Sequence, residues 1–287
     1  MFAEFKHTLR KLRGQIIGWS IGLGLYALMM ARLFDSIAEI EGFSELINSY
    51  PEDLMAMFGI NDMALITTPK GFLDIYYFGY MAIIIGIFAV GVGAGLLVGD
   101  EEKGILDLVL SYPVSRVKLF LGRLLGLVTA TGMVMILSWL SWVLSSIGTG
   151  LDLTLIEFLR PFIPLFAVLL FLGTFTTLLS LFLPSTRVAG MLSGGLLIAN
   201  FLLIGLSNIN ENLEAFVKFT PLYYYQGGDA IDNINWEWFV GLLAVTAVFS
   251  ILALLRFQRR EIRVGGEGSW ELSSLRLRLR LRQSKEA

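Results

Sequence analysis

Residues 75–98 read IYYFGYMAIIIGIFAVGVGAGLLV, a stretch without one charged side chain. A helix needs about 20 apolar residues to cross the hydrocarbon core of a bilayer, so this segment alone predicts a membrane span. Five more stretches share its character, at about 15–34, 119–147, 161–183, 188–207 and 238–255. The first follows Lys6, Arg10, Lys11 and Arg13, as a signal peptide would. Its apolar run is too long for one and no small-x-small cleavage site follows, so it reads as a retained helix. The chain therefore predicts an all-α polytopic membrane protein with six transmembrane helices.

Composition agrees. Of 287 residues, 55% are hydrophobic and 16% charged, and the mean hydropathy is +0.71. Ordinary soluble domains carry about 25% charged residues, and a globule of this size could not solvate its surface with fewer. The absence of cysteine removes disulfide frameworks, thiolate catalysis and cysteine-ligated metals, and a single histidine, His7, removes zinc sites built from several imidazoles.

Lys and Arg collect in the segments that share a side with the N-terminus: Lys6, Arg10 and Lys11, then Lys103, Arg116 and Lys118, then the residues from Arg256 onward. The opposite segments are acidic, with Asp35, Glu39, Glu41, Glu45, Asp62 and Glu211 among them. The positive-inside rule places both termini in the cytoplasm. Mid-span positions hold no Asp, Glu, Lys or His, and Arg32, Arg123 and Asp74 lie near span ends. Ion-driven carriers place ionisable relays at mid-membrane, so any energy for transport enters from elsewhere. Glycines recur every fourth residue at Gly14, Gly18 and Gly22, at Gly91, Gly95 and Gly99, and at Gly190 and Gly194. Such spacing predicts close helix packing within the chain, with a subunit interface as the alternative.

Between spans two and three, residues 99–123 read GDEEKGILDLVLSYPVSRVKLFLGR. Glu101 and Glu102 suit a helix N-terminus. At 100° per residue, Ile105, Leu108, Val109 and Tyr112 share one face, opposite Lys103, Asp107 and Ser111. Pro113 ends that helix and Ser115 can cap the next. An amphipathic helix this short cannot span, so its apolar face meets either the headgroup layer or a groove on a soluble partner.

The run 101–116, EEKGILDLVLSYPVSR, resembles the coupling-helix motif of ATP-binding-cassette transporter permeases of the type-2 exporter class. The basic start, with a segment 1–14 similar to that family's interfacial elbow helix, the Pro-aromatic run Thr220-Pro221-Leu222-Tyr223-Tyr224 and the basic exit 258–262 extend the likeness over residues 1–264. The resemblance implies a permease domain over 1–264, with a coupling loop at 99–118 and outer loops at 35–72 and 208–236, followed by a flexible basic tail at 265–287. It implies that Glu101, Glu102, Lys103, Gly104, Leu108, Pro113 and Arg116 meet a cytosolic ATPase subunit, present in two copies. It also implies a second, identical or related permease chain, a plasma or inner membrane location and no nucleic-acid partner.

No Gly-x4-Gly-Lys-Ser/Thr loop occurs, so the chain has no Walker site for ATP. Under the resemblance, ATP and Mg belong to the partner ATPase, and this chain carries no cofactor, metal or catalytic residue. Paired intramembrane carboxylates, His-Glu-x-x-His and Gly-x-Ser-x-Gly patterns are also missing. Two other functions fit parts of the pattern. A non-transporting scaffold or sensor would use the same loop to recruit a soluble protein, and an ion-driven carrier would need the relay that the spans lack.

Helical periodicity at 36–49 and 51–58 predicts surface or re-entrant helices in the first outer loop, which either gate the pathway or only cap it. Trp139 and Ser141 in span three and Asn200 in span five are the polar candidates for lining a pathway. In the tail, 274–282 alternates Leu and Arg with the period of a strand, a pattern suited to anionic headgroups, to a partner strand or to a disordered tail.

Overall fold

A computed structural model describes residues 1–38, 51, 55, 67–106 and 115–260, and among them the regular structure is entirely helical. Six long helices have the length and apolarity of membrane spans: α1 (Phe2–Ala38), α2 (Pro69–Gly95), α3 (Arg116–Ser146), α4 (Phe162–Ser180), α5 (Thr186–Ser207) and α6 (Trp236–Arg259). Short polar side chains set several starts by accepting orphan backbone N–H groups. Ser115 accepts from Lys118 N, as expected of it, Ser185 from Val188 N, and Asn235 from both Glu237 N and Trp238 N. A capping box of Thr154 and Glu157 starts a short helix, Leu155–Leu159, just before α4.

Two boundaries differ from expectation. The first span and the basic segment before it form one continuous helix, with no break near residue 14 that would set off a separate elbow helix. Gly14 costs the helix only about 1 kcal/mol, and no proline interrupts the run. Span two begins at Pro69 and carries a π-helical turn, Asp74–Phe78, in its N-terminal half. The segments 39–50 and 56–66, and with them most of the expected outer-loop helices, lie outside the described residues, as do the amphipathic helix positions 107–114 and the tail from 261.

α4 is the most buried of the six and packs against α2, α3, α5 and α6, while α1 runs along α3. An aromatic knot holds together the half of the bundle around the start of α2. The Tyr77 ring lies 5.0 Å from Trp142 and 4.9 Å from Phe78, and its hydroxyl shares a 2.6 Å hydrogen bond with Ser138.

The glycines divide in a way the spacing did not reveal. Gly93 of α2 and Gly173 of α4 cross backbone to backbone, so a Cβ at Gly93 would fall on the Gly173 carbonyl oxygen. Gly122 and Gly126 of α3 receive the start of α1, where a Cβ would come within 2.6 Å of Met1 O and of Thr8 Cγ2. The regular series takes little part in packing among the described residues: there a Cβ at Gly14, Gly18, Gly22, Gly91, Gly95, Gly99 or Gly194 meets nothing within 4 Å, and at Gly190 only Ala94 Cβ at 3.9 Å. Four-residue spacing places small residues on one helix face but carries no information about which neighbour, if any, that face meets.

Candidate functional site: the loop after the second span and its anchors

α2 ends at Gly95, the backbone bends, and a short helix, Val98–Glu102, leads into the loop. Gly104 adopts a φ of +66°, a left-handed conformation that glycine reaches without a Cβ penalty. Ile105 then stands exposed, whereas Leu106 is buried beside Leu97, Phe120, Leu181 and Phe257.

Three consecutive carboxylates at the loop entrance each meet a different part of the bundle. Asp100 is buried between two cations, with Lys11 Nζ of α1 at 2.7 Å and the Arg123 guanidinium of α3 at 2.8 Å. Arg123 is itself 2% exposed; it donates to Leu96 O at 2.9 Å and reaches Glu4 at 3.4 Å. Burial pushes the Asp100 carboxyl up, but the Lys11 hydrogen bond and the Arg123 and Lys11 charges outweigh it and hold the group below its ordinary value. Glu101 is buried and meets the Arg260 guanidinium at 3.3 Å; Arg260 also donates to Leu181 O at 2.5 Å. Glu102 accepts from Thr186 N at 2.6 Å and from Thr186 Oγ1 at 2.8 Å, at the first turn of α5.

The sequence placed Glu101 and Glu102 at the start of the loop's own helix. They sit instead at the end of Val98–Glu102, and Glu102 serves the N-terminus of α5. The physical preference is the one expected, a carboxylate at the positive end of a helix, but the helix belongs to another part of the chain. Arg116, at the loop exit, does not face outward either. Its NH1 donates to Phe257 O at 3.1 Å, Gln258 O at 3.0 Å and Arg260 O at 2.7 Å, closing the last carbonyls of α6. Of the seven candidate contact residues, Glu101 and Arg116 are thus engaged inside the chain. Glu102 is tied to α5 with its surface open, Lys103 is exposed, Gly104 supplies the turn, and Leu108 and Pro113 lie outside the described residues.

Sequence reasoning missed Glu4, Lys11, Asp100, Arg123, Thr186 and Arg260 as members of this cluster. A signal was present at Arg123. It lies about one turn inside an otherwise apolar span, where a guanidinium needs a counter-ion, and Asp100 is an acid at the matching border.

The three pathway candidates do not come together. Trp139 donates its indole N–H to Leu155 O at 3.3 Å, and Ser141 bonds Leu137 O of its own helix at 2.8 Å beside Gly24 of α1. Asn200 is buried and accepts from Leu222 N at 3.0 Å, holding the turn Pro221–Tyr224, while its Nδ2 has no partner among the described residues. The segment 221–232 is stitched down at several further points. Arg160 donates to Ile231 O and Asp232 O, Lys70 pairs with Asp232 and Glu157, and Tyr225 donates to Phe78 O at 2.8 Å. Asp74 accepts from Gly228 N at 2.7 Å beside a cleft of about 240 Å³ between the start of α2 and the end of α5. Asp229, on the same cleft, is pushed up by burial and by the nearby Asp232.

A family model described as ABC-2 family transporter protein matches residues 3–262. No curated protein matches the chain. Six apolar helices and a family match over nearly the whole length leave one reading of its class: the chain belongs to the ABC-2 transporter family, as a multi-pass membrane permease component of an ABC transport system and not its ATPase.

Proposed function

We propose that the chain is the membrane half of an ATP-driven exporter, with the loop at 99–118 receiving the motion of a cytosolic ATPase. The observation that carries this reading is the anchoring of the loop. Its entrance and exit are tied by buried charges and hydrogen bonds to α1 and α3 through Asp100, to α5 through Glu102, and to α6 through Arg116. A displacement of the loop cannot occur without moving the ends of those helices, because breaking one buried ion pair costs about 3–5 kcal/mol. A loop that only rested on the headgroups would need no such connections. Lys103, Gly104 and Ile105 form the open tip among the described residues, and the family motif assigns Leu108 and Pro113, outside the described residues, to the same contact.

Two copies of the ATPase bind ATP and Mg and dock on two permease chains, identical or related, whose exposed faces at α2 and α5 enclose the pathway. The exposed Met191 and Ile198 of α5, with half-buried Gly194 between them, supply that face. Both termini and the loop lie in the cytoplasm of a cell-membrane protein, as the charge distribution favours, and the segment 221–232 closes the outer side.

The test is to purify the chain with its cognate ATPase and measure assembly and ATP turnover. Gly104→Asp and Leu108→Asp are expected to abolish co-purification or cut permease-dependent turnover at least tenfold. Unchanged assembly and turnover in both variants would overturn the coupling assignment.

A further inference from the structure

Two joints flank the short helix Val98–Glu102. On one side the backbone bends between α2 and Val98, and on the other Gly104 turns the chain at a φ of +66°. A few residues at the ends of an element are enough to absorb a large change of direction. A push at the loop tip would therefore rotate this five-residue helix about its joints, and go no further, unless the helix is held from outside.

Arg260 holds it. This residue follows the last turn of α6 and is 8% exposed. Its NH2 meets Glu101 Oε1 at 3.3 Å, while its NH1 donates to Leu181 O at 2.5 Å and to Ser180 O at 3.4 Å, at the end of α4. Its own carbonyl accepts from Arg116 NH1 at 2.7 Å, at the first residue of α3. The loop entrance thus bonds the side chain of Arg260, and the loop exit bonds its backbone. Beside these bonds Leu97, Leu106, Phe120, Leu181 and Phe257 belong to an apolar cluster separate from the main core. A guanidinium carries donors on both terminal nitrogens in a fixed fork, so it can serve a carboxylate on one side and carbonyls on the other. A lysine offers a single nitrogen.

We propose that Arg260 is a positioning residue for energy coupling: it ties the entrance and exit of the loop 99–118 to each other and to the end of α4, so that the loop moves as one body and carries α4 with it. α4 is the most buried of the six spans and packs against α2, α3, α5 and α6, so a displacement of its end is passed to all four. That an ATPase docks on the loop rests on the function proposed above. Glu101, 4% exposed, acts here through Arg260 and not by touching that partner.

The full chain assembled with its cognate ATPase tests the assignment, with affinity for the ATPase and ATP turnover per assembled complex measured separately. Arg260→Lys is expected to leave the affinity within twofold and the KM for ATP unchanged, and to cut permease-dependent turnover at least fivefold. Glu101→Gln with Arg260→Gln removes both charges together, which spares the fold an unpaired buried charge, and is expected to lose turnover to the same degree. In the wild-type complex, ATP is expected to change hydrogen exchange over 178–183, the end of α4, at least threefold, and in both variants less than 1.5-fold. Wild-type turnover per assembled complex in either variant would overturn the proposal. So would a loss of turnover matched by an equal loss of affinity, which a folding defect or a direct ATPase contact would produce. Exchange over 178–183 that ignores ATP in the wild type would overturn it too. A wild-type chain that neither binds nor stimulates the ATPase would overturn the function proposed above, and this assignment with it; the other outcomes bear on Arg260 alone.

Discussion

Arg123→Gln removes a guanidinium that is 2% exposed and joins three elements. Asp100 loses a partner at 2.8 Å, Leu96 O loses a donor at 2.9 Å, and Glu4 loses its contact at 3.4 Å. Breaking a buried ion pair costs about 3–5 kcal/mol. Lys11 stays on Asp100, which favours the lower figure, so the expected loss is about 3 kcal/mol, roughly a hundredfold in the folded population. Asp100→Asn is expected to cost a similar amount, because Arg123 then stays charged and buried with only Glu4 opposite it. The double variant removes both charges together and is expected to be about 2 kcal/mol more stable than the sum of the single losses. Equilibrium unfolding in mixed micelles, followed by tryptophan fluorescence, gives the three free energies. Additivity within about 0.5 kcal/mol would refute the buried pair as the fastening between loop and bundle.

Three further outcomes follow from the same geometry. Gly93→Ala is expected to destabilise by about 1–3 kcal/mol, since its Cβ falls on the Gly173 carbonyl, while Gly91→Ala is neutral or gains up to about 1 kcal/mol of helix propensity; thermal stability in detergent separates them. Arg116→Ala leaves three carbonyls at the end of α6 without their donor, and hydrogen exchange over 257–260 is expected to accelerate at least tenfold with the centre of α6 unchanged. Asp100 titrates lower in the folded protein than its unfolded value of about 3.9, so its contribution is complete above that value and disappears as pH falls through the lower folded one. Arg123→Gln raises the folded value, and acid unfolding of the variant is expected to begin at a higher pH than in the wild type.

The six spans were legible because each is a long apolar run, and length against bilayer thickness needs no knowledge of neighbours. The caps at Ser115 and the short helix start at Thr154 follow from local chemistry of the same kind. What could not be read is which surface meets which. Gly93 is one glycine among several in residues 75–98, and nothing in that run marks it as the position facing Gly173. The charges of the loop were visible, but their partners lie up to 159 residues away along the chain, in the case of Glu101 and Arg260. A local motif shows that a carboxylate seeks a positive partner; the bundle decides which one it finds.

The crossing of Gly93 and Gly173 has a mechanical consequence. With no side chain between the two backbones, α2 and α4 meet directly at that point, and Thr177 Oγ1 adds a 3.0 Å hydrogen bond to Gly93 O. The crossing lies near the Gly95 end of α2. Gly95 is about 3 Å of helix beyond it, while Pro69 is about 36 Å before it at 1.5 Å per residue. Were α2 to tilt as a stiff rod about this fulcrum, the Pro69 end would sweep roughly ten times as far as the Gly95 end. The arm ratio turns a small stroke at the loop end of the helix into a wide one at its far end.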